Sequence, residues 1–194
     1  MKNKETKLKN KIVKQAISSV RRDHKVDVVS LLSISKELNV DFSIITKYYT
    51  SMEDIFLEQQ KKNWKSTYRS LDKKTKGAKT PGDFKSVFDT FLEDFVSNLG
   101  ADADLNWEVC SFIPVCLEFR EANKRVIASK IKNIIKRGWP GKTDNVLDRQ
   151  TDLFILSFYG FIDHIVHTPV KERAIILKDF RNMLNLHLQD RLFF

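Results

Sequence analysis

The segment from Leu31 to Phe56, LLSISKELNVDFSIITKYYTSMEDIF, has the pattern of two short helices joined by a tight turn, followed by a polar break and a third helix. Leu31, Ile34 and Leu38 recur at i, i+3 and i+7, which predicts one apolar helix face. Asn39 follows at once, and asparagine tolerates the left-handed backbone conformation that closes a helix. This order of elements limits the segment to a small, closely packed helical unit.

The second helix of this segment is predicted to have one buried side and one exposed side. Asp41 can cap it by accepting a backbone N–H, and Ile45 and Tyr49 are expected to be buried. The exposed side is expected to carry Phe42, Ser43, Thr46 and Lys47. A helix, a tight turn and a second helix with an exposed face make up the helix-turn-helix unit that reads DNA.

The rest of the chain also has helical periodicity, and we predict an all-α fold. The 194 residues contain only 6 Gly and 4 Pro, and 42% are hydrophobic, which is enough for a packed core. We assign residues 1–52 to an N-terminal three-helix helix-turn-helix domain and residues 53–194 to a larger helical domain. Outside the helix-turn-helix, the predicted helices span about 8–22, 53–71, 81–99, 105–119, 120–137, 143–167 and 170–191.

Several features of the connecting segments belong to this prediction. Residues 1–9 are expected to form a frayed basic arm, and residues 72–82 the clearest loop. A bend is expected near Pro114, and Val26 and Val28 are expected to fill the small N-terminal core. Cys110 and Cys116 are expected to be reduced.

The apolar segments of the chain indicate its compartment and whether it associates with a membrane. The N-terminus has charge but lacks the apolar region of a signal peptide. The most apolar stretch, from Leu153 to Ile162, is too short to span a bilayer. We therefore expect a cytoplasmic protein that does not bind membranes.

The positive charge of the chain is concentrated near its N-terminus. The formal net charge is +9, and residues 1–50 hold 11 Lys and Arg against 5 Asp and Glu. Residues 51–194 hold 23 against 20. An excess of basic residues around a helix-turn-helix suits phosphate binding, because each neutralised phosphate releases counterions. The alternative is a solvated surface with a lysine-rich tail.

The segment from Ile34 to Phe56, ISKELNVDFSIITKYYTSMEDIF, resembles the DNA-binding region of the TetR family of one-component transcriptional regulators. The matching positions are Ile34, Val40, Ile45, Tyr49, Ser51, Glu53 and Ile55, and the upstream helix with Ala16, Ile17 and Val20 is placed as in the family. The similarity covers roughly residues 10 to 57. It implies a dimeric DNA-binding protein with a larger helical domain that binds a small ligand.

The resemblance implies a set of DNA-contacting positions, and three family positions are changed here. The turn glycine is Asn39, the phosphate-contacting tyrosine of the recognition helix is Thr46, and the lysine at the next helix start is Met52. The DNA-binding candidates are Ser30, Asp41, Phe42, Ser43, Ile44, Thr46, Lys47 and Tyr48. Lys47, Tyr48 and Ser30 are assigned to phosphates.

Phe42, Ser43 and Ile44 match the positions that face base edges in the family, and two of these three side chains are apolar. Apolar side chains read thymine methyl groups, so we expect a site with A·T content that relies on backbone contacts and DNA shape. The alternative is that Phe42 and Ile44 form a partner surface or a pocket inside the small domain.

The larger domain is expected to bind a small hydrophobic effector and to dimerise. The candidate effector-binding residues are Phe88, Phe91, Phe95, Trp107, Phe112, Phe158, Tyr159 and His164. The alternative for the phenylalanines is ordinary core. The homodimer is expected to form through the last two helices, whose apolar residues include Leu147, Phe154, Ile155, Phe158, Ile162, Ile165, Val166, Ile176, Phe180, Leu184 and Leu188. The alternative is that these helices bury each other within one subunit.

The predicted function is a transcriptional regulator, expected to be a repressor, that binds a pseudo-palindromic operator in double-stranded DNA as a dimer and is released by the effector. Two alternatives remain: an architectural DNA-binding scaffold, and a carrier of a hydrophobic molecule whose DNA binding has decayed. No phosphate-binding glycine loop or catalytic triad pattern is present, so no enzyme, catalytic residue or cofactor is predicted. His164 and His167 could share a metal ion, but a pocket-lining role is favoured and no metal site is predicted.

Overall fold

A computed structural model describes the backbone of residues 2–23, 28–97, 99, 103, 107, 111–141 and 143–192, and the side chains of those between 4 and 185. The described residues are all-α, as predicted: eight α-helices and one 3-10 helix have bounds among them, and residues 103, 107, 111 and 112 are also helical. The α-helices are α1 (Lys2–Asp23), α2 (Leu31–Leu38), α3 (Phe42–Thr46), α4 (Met52–Thr75), α5 (Pro81–Ser97), α6 (Pro114–Gly138), α7 (Asp144–His167) and α8 (Arg173–Leu192). The 3-10 helix, Val170–Glu172, precedes α8. None of the described helices combines the length and apolarity that a membrane span requires.

The chain divides into two compact units. Unit 1 consists of Met1–Trp64 and Glu108–Arg120, and unit 2 of Lys65–Trp107 and Glu121–Phe194. The core of unit 1 is built by apolar residues that recur at helical spacing on α1, α2, α3 and α4, together with Tyr49 between α3 and α4. The most deeply buried of them, at 0 to 2% exposure, are Ile12, Ala16, Val20, Ile34, Ile45, Tyr49 and Ile55.

Helix α1 begins earlier than the sequence indicated. It starts at Lys2, so the predicted frayed arm over residues 1–9 is wrong. Lysine is a good helix former and residues 2–11 contain no glycine or proline to end a helix. Val28, predicted to be in the core, is 59% exposed, and the neighbouring Val29 is buried instead. Val26 lies outside the described residues.

The turn between α2 and α3 has the predicted chemistry. Asn39 adopts the left-handed conformation, with φ 50° and ψ 48°, and its backbone N–H donates to the carbonyls of Lys36 and Ser35. The Asp41 side chain then accepts the backbone N–H of Ser43 and opens α3. Helix α3 ends at Thr46 and is followed by a turn at Lys47 and Tyr48. The recognition helix is therefore one and a half turns long, shorter than predicted.

The remaining helix boundaries differ from the predictions at two places. Helix α4 continues to Thr75 and shortens the predicted loop over residues 72–82. The predicted bend near Pro114 is confirmed: residues 111 and 112 are helical, residue 113 forms a bend, and Pro114 opens α6, where its missing N–H costs no helical hydrogen bond. Helix α6 then runs without a break to Gly138, so the predicted division near residue 120 is wrong.

Unit 2 is built around an aromatic cluster of α5, α7 and α8. Phe88 packs against Phe154, with ring centroids 5.2 Å apart, and Phe91 packs against Phe158 at 6.0 Å. Phe161 of α7 stacks on Phe180 of α8 at 4.2 Å. These interlocking rings hold the two last helices and α5 together within one subunit.

The apolar residues that were expected to form the dimer interface are mostly used inside the subunit. In α7 the buried ones are Leu147, Phe154, Phe158, Ile162, Ile165 and Val166, and in α8 they are Phe180 and Leu184. These side chains pack against each other and against α5, which agrees with the alternative that the last two helices bury each other within one subunit. Ile155 and Ile176 are half-buried, and the side chain of Leu188 lies outside those described.

Candidate nucleic-acid interface

Helix α3 buries one side chain and presents most of the others to solvent. Ile45 is fully buried, whereas Phe42 and Ile44 are 43% and 41% exposed. Ser43, Thr46 and Lys47 are exposed as well. The structure thus places the five candidate residues of this segment at the surface of unit 1, with the buried Ile45 fixing the rotation of the helix about its axis. It does not bury Phe42 or Ile44 in a pocket of the small unit.

The N-terminus of α3 is held by a local hydrogen-bond pair. The carboxylate of Asp41 accepts the hydroxyl of Ser43 at 2.6 Å and its backbone N–H at 2.8 Å. These hydrogen bonds lower the pKa of the Asp41 carboxyl, so it is charged at neutral pH. Because the Ser43 hydroxyl donates its proton to Asp41, it offers lone pairs to an outside group. Ser43 is therefore arranged as an acceptor on the exposed face.

Thr46 is arranged differently from what a phosphate contact needs. Its hydroxyl lies 3.2 Å from the carbonyl oxygen of Phe42 and 3.3 Å from that of Ser43, and it donates into the helix itself. A phosphate contact needs a donor that points away from the protein. Thr46 is exposed, but its one donor is occupied.

Lys47 and Tyr48 lie in the turn that ends α3. Lys47 is exposed and Tyr48 is half-buried. The Lys9 ammonium of α1 lies 5.5 Å from the centre of the Tyr48 ring and 5.6 Å from that of Tyr49, distances at which a cation and an aromatic ring attract. Lys9 of α1 therefore contacts this turn through its two aromatic rings. The sequence motif gave no indication of this contact.

The same corner of unit 1 contains an acidic partner for these groups. Glu58 of α4 accepts the Tyr49 hydroxyl at 3.0 Å and lies 3.8 Å from the Lys9 ammonium. Burial, together with the nearby carboxylate of Glu58, raises the pKa of the Tyr49 hydroxyl. The contacts of Lys9, Tyr49 and Glu58 link α1 and α4 to the end of α3.

Ser30 caps the start of α2, and its hydroxyl can still donate a hydrogen bond. Its side-chain oxygen accepts the backbone N–H of Ser33 at 3.1 Å, and the Ser33 hydroxyl accepts the backbone N–H of Ser30 at 3.0 Å. The Ser30 hydroxyl accepts in this capping box, so its own proton remains available, and the residue is exposed. Leu32, the second residue of α2, is 49% exposed and was not singled out from the sequence.

A single carboxylate fastens α1 to α2. Glu37 accepts hydrogen bonds from the Ser19 hydroxyl at 2.6 Å, from the Arg22 guanidinium at 2.7 Å and from the Gln15 amide at 2.6 Å. These bonds lower the pKa of the Glu37 carboxyl to about 2. Four polar side chains of two helices thus meet at one point, which sets the position of α2 on α1. In the sequence, only the polar character of these residues beside the apolar faces of α1 and α2 could have indicated this junction.

A carboxylate also caps the start of α4. Asp54 accepts the Thr50 hydroxyl at 2.6 Å, the Thr50 backbone N–H at 2.8 Å and the Ser51 N–H at 3.1 Å. These bonds lower the pKa of the Asp54 carboxyl. Met52 is half-buried in this first turn. The cap therefore puts a negative charge in the first turn of α4, where it suits the helix dipole.

The candidate effector-binding residues are only partly brought together. Phe88, Phe91 and Phe158 are buried in the aromatic cluster, and Phe95 and Tyr159 each pack against Phe158. This mutual packing agrees with the core alternative for the phenylalanines. Trp107 donates its indole N–H to Asp163 at 2.7 Å, while His164 is exposed. Phe112 belongs to unit 1 and is 78% exposed, so it does not join the cluster.

Within the part of the chain that the structure describes, no group of three or more His, Cys, Asp or Glu side chains could hold a metal ion. His164 and His167 are both exposed on α7. The Asp163 carboxylate beside them accepts the hydrogen bond from Trp107.

Comparison with solved structures identifies the architecture. A transcriptional regulator from Rhodococcus sp. Rha1 superposes with a TM-score of 0.66 over 93% of this chain and 96% of that chain, at 10% sequence identity. No protein-family model matches the sequence, and no curated protein matches it. The chain therefore has the fold of a transcriptional regulator with an N-terminal helix-turn-helix.

Proposed function

We propose that this protein is a dimeric, ligand-controlled transcriptional regulator of the TetR type. The observation that carries the proposal is the presentation of α3, whose N-terminus is capped by Asp41 and whose rotation is fixed by the buried Ile45. Unit 1, to which α3 belongs, also carries the basic segment of residues 1–25, with 9 Lys and Arg against 2 Asp and Glu. The likeness to a transcriptional regulator at the level of the fold supports the same conclusion.

The side chains on α3 suit a major-groove site with A·T pairs. Phe42 and Ile44 are exposed apolar groups that can contact thymine methyl groups, and Ser43 is an acceptor that can receive the N6 amino group of adenine. Lys47, Tyr48 and Ser30 would contact phosphates and fix the register. We do not assign a phosphate contact to Thr46, because its hydroxyl donates within α3. Asp41 acts as the helix cap.

A homodimer would pair two such helices on one face of the duplex. We propose that the dimer interface lies on the outer side of the last two helices, where Leu156 of α7 is 73% exposed and Ile175 and Met183 of α8 are 60% and 46% exposed. Gly160, one turn beyond Leu156, has open space around its Cα and permits close approach of a second helix. Twofold symmetry would then give a pseudo-palindromic operator with half-sites roughly one helical turn apart.

The effector in this proposal is a small hydrophobic molecule that binds unit 2. Phe95 and Tyr159 lie at the margin of the aromatic cluster and are half-buried, so a ligand could replace part of their packing. The ligand would control DNA binding by its different affinity for two states of the protein. In this scheme residues 1–52 bind DNA, residues 53–194 bind effector and dimerise, and the protein acts as a repressor.

The proposal is tested by selecting duplexes from a randomised pool with the full-length protein and measuring affinities by fluorescence anisotropy. We expect a pseudo-palindromic site with thymine in each half-site. Lys47→Ala and Tyr48→Ala should weaken binding to all sequences alike, because they remove phosphate contacts, while Thr46→Val should leave the affinity within about twofold. A loss confined to the selected site for the first two variants would contradict their assignment.

The alternatives give different outcomes in the same selection. An architectural scaffold would bind many sites without release by any hydrophobic ligand. A carrier with decayed DNA binding would show no sequence preference at any salt concentration, while hydrophobic ligands still raised its melting temperature. Recovery of one palindromic site, followed by release with a ligand from a thermal-shift screen, is the result that supports the regulator.

A further inference from the structure

We propose that the outward face of α1 is a second surface for DNA phosphates, one that binds without regard to sequence. It consists of Lys4, Lys7, Lys11 and Lys14, which we call the lysine stripe. The inference rests on the proposed function, since its partner is also double-stranded DNA. It concerns a different helix and a different kind of contact.

The spacing of the lysine stripe puts all four cations on one side of α1. Their positions follow i, i+3, i+7 and i+10, which on a helix of 3.6 residues per turn form a single row. At a rise of 1.5 Å per residue the row is about 15 Å long. All four residues are exposed.

The opposite side of α1 is the one that packs into unit 1. Ile12, Ala16 and Val20 on that side are fully buried. The stripe therefore points away from the core of the unit, and burial of the apolar side holds it there. The row continues through Ser18 to Arg21, which are also exposed.

The charges of the stripe are not neutralised within the part of the chain described. The ion pairs and hydrogen bonds of α1 engage other cations: Lys9 lies by Glu58, and Arg22 pairs with Glu37 and Asp23. Between residues 4 and 22 the only acidic residue is Glu5, which lies about 100° or more around the helix from each stripe lysine. By contrast, Lys74, Lys124, Lys130 and Lys132 of unit 2 each bind a carboxylate.

A row of exposed ammonium groups suits a regular row of phosphates. Duplex DNA carries one negative charge for every 1.7 Å of helix axis, and its condensed counterions are released when lysines take their place. A membrane surface suits α1 less well, because a helix that lies on a membrane inserts an apolar face. The apolar face of α1 is already buried in unit 1.

The test replaces all four lysines together, in the variant Lys4→Gln, Lys7→Gln, Lys11→Gln and Lys14→Gln. The matched control replaces four exposed lysines of unit 2, Lys73, Lys76, Lys171 and Lys178, by glutamine. Both variants change the net charge equally. Urea unfolding and circular dichroism of each full-length variant verify that it folds.

Affinity for a 30-base-pair duplex of random sequence, and for the selected site, is measured from 50 to 200 mM KCl. Each lost phosphate contact makes the negative slope of log K against log salt concentration less steep by about 0.9. The slope of the stripe variant should therefore be less steep than that of the wild type by up to about 3 to 4. The loss should be equal on both duplexes, and the control variant should keep the wild-type slope.

The result that overturns the inference is an unchanged slope for the stripe variant, or an equal change in the control. Loss of binding to vesicles of anionic lipid with no change in DNA slope would also overturn it, in favour of a membrane surface. Failure of the proposed function gives a different result. If the wild-type protein prefers no DNA sequence, but the salt dependence of binding still becomes weaker in the stripe variant, specific recognition by α3 is contradicted. The inference that the lysine stripe binds phosphates then still holds. No binding of the wild-type protein to any duplex would contradict both.

Discussion

Substitution of Glu37 by glutamine tests whether the polar junction between α1 and α2 stabilises the helix-turn-helix. The carboxylate accepts three hydrogen bonds, from Ser19, Arg22 and Gln15, and the side chain is 26% exposed. Glutamine keeps the size of the side chain. It removes the charge and one of the two acceptor oxygens.

The magnitude of the effect follows from the pKa of Glu37, which falls from 4.5 to about 2 on folding. Such a shift corresponds to an upper limit of about 3 kcal/mol of folding free energy at neutral pH. Solvent around a surface carboxylate screens these interactions, so the expected loss is closer to about 1 to 2 kcal/mol. Urea unfolding at pH 7 measures it, with Glu118→Gln, an exposed site in the same unit, as the control.

The pH dependence of this loss has a definite direction. Because folding lowers the pKa of Glu37, its stabilisation is complete above about pH 4.5 and disappears as the pH falls towards 2. The difference between wild type and Glu37→Gln should therefore shrink between pH 5 and pH 2. A difference that stays constant over this range, or a loss at pH 7 no larger than that of Glu118→Gln, would refute the reasoning.

Substitutions at three further positions test the packing of the recognition segment and of unit 2 by urea unfolding. Ile45→Ala empties a fully buried site and should cost about 2 to 5 kcal/mol, with Ile45→Val costing about 1; equal small effects would mean that α3 is not anchored there. Asn39→Gly should leave stability unchanged or raise it by up to about 1 kcal/mol, since φ is 50°, whereas Asn39→Val should destabilise; the reverse order would contradict the left-handed turn. Gly138→Ala should cost about 1 to 3 kcal/mol, because a Cβ there would lie 2.6 Å from the Phe84 ring, and a neutral result would show that the ring moves freely.

The helix-turn-helix could be predicted because its chemistry is local. An apolar row ending at Leu38, an asparagine that accepts a positive φ and an aspartate that caps the next helix act over a few residues. The sequence therefore specified where α2 ends and α3 begins. The exposure of Phe42 followed from its position relative to Ile45, whereas Ile44 was singled out only by the family resemblance.

Several of the misses depend on side-chain geometry or on partners distant in the sequence. An apolar row on α7 indicates burial but does not distinguish a neighbouring helix of the same chain from a second subunit, and most of its residues pack on α5 and α8. The occupied hydroxyl of Thr46 and the position of Lys9 over Tyr48 likewise depend on geometry that no short motif specifies. The start of α1 was missed because a run of lysines was interpreted as a charged tail.

The contact between α3 and the major groove is tested most directly by removing thymine methyl groups from the DNA. In the selected site each thymine is replaced by uracil, which lacks only the C5 methyl, and affinities are measured for wild type, Phe42→Ala and Ile44→Ala. The account predicts that uracil at one or two positions per half-site weakens wild-type binding several-fold, and that the penalty vanishes in the variant lacking the side chain that contacts that methyl. Uracil without effect at every position, or a penalty that persists in both variants, would contradict recognition by the exposed face of α3.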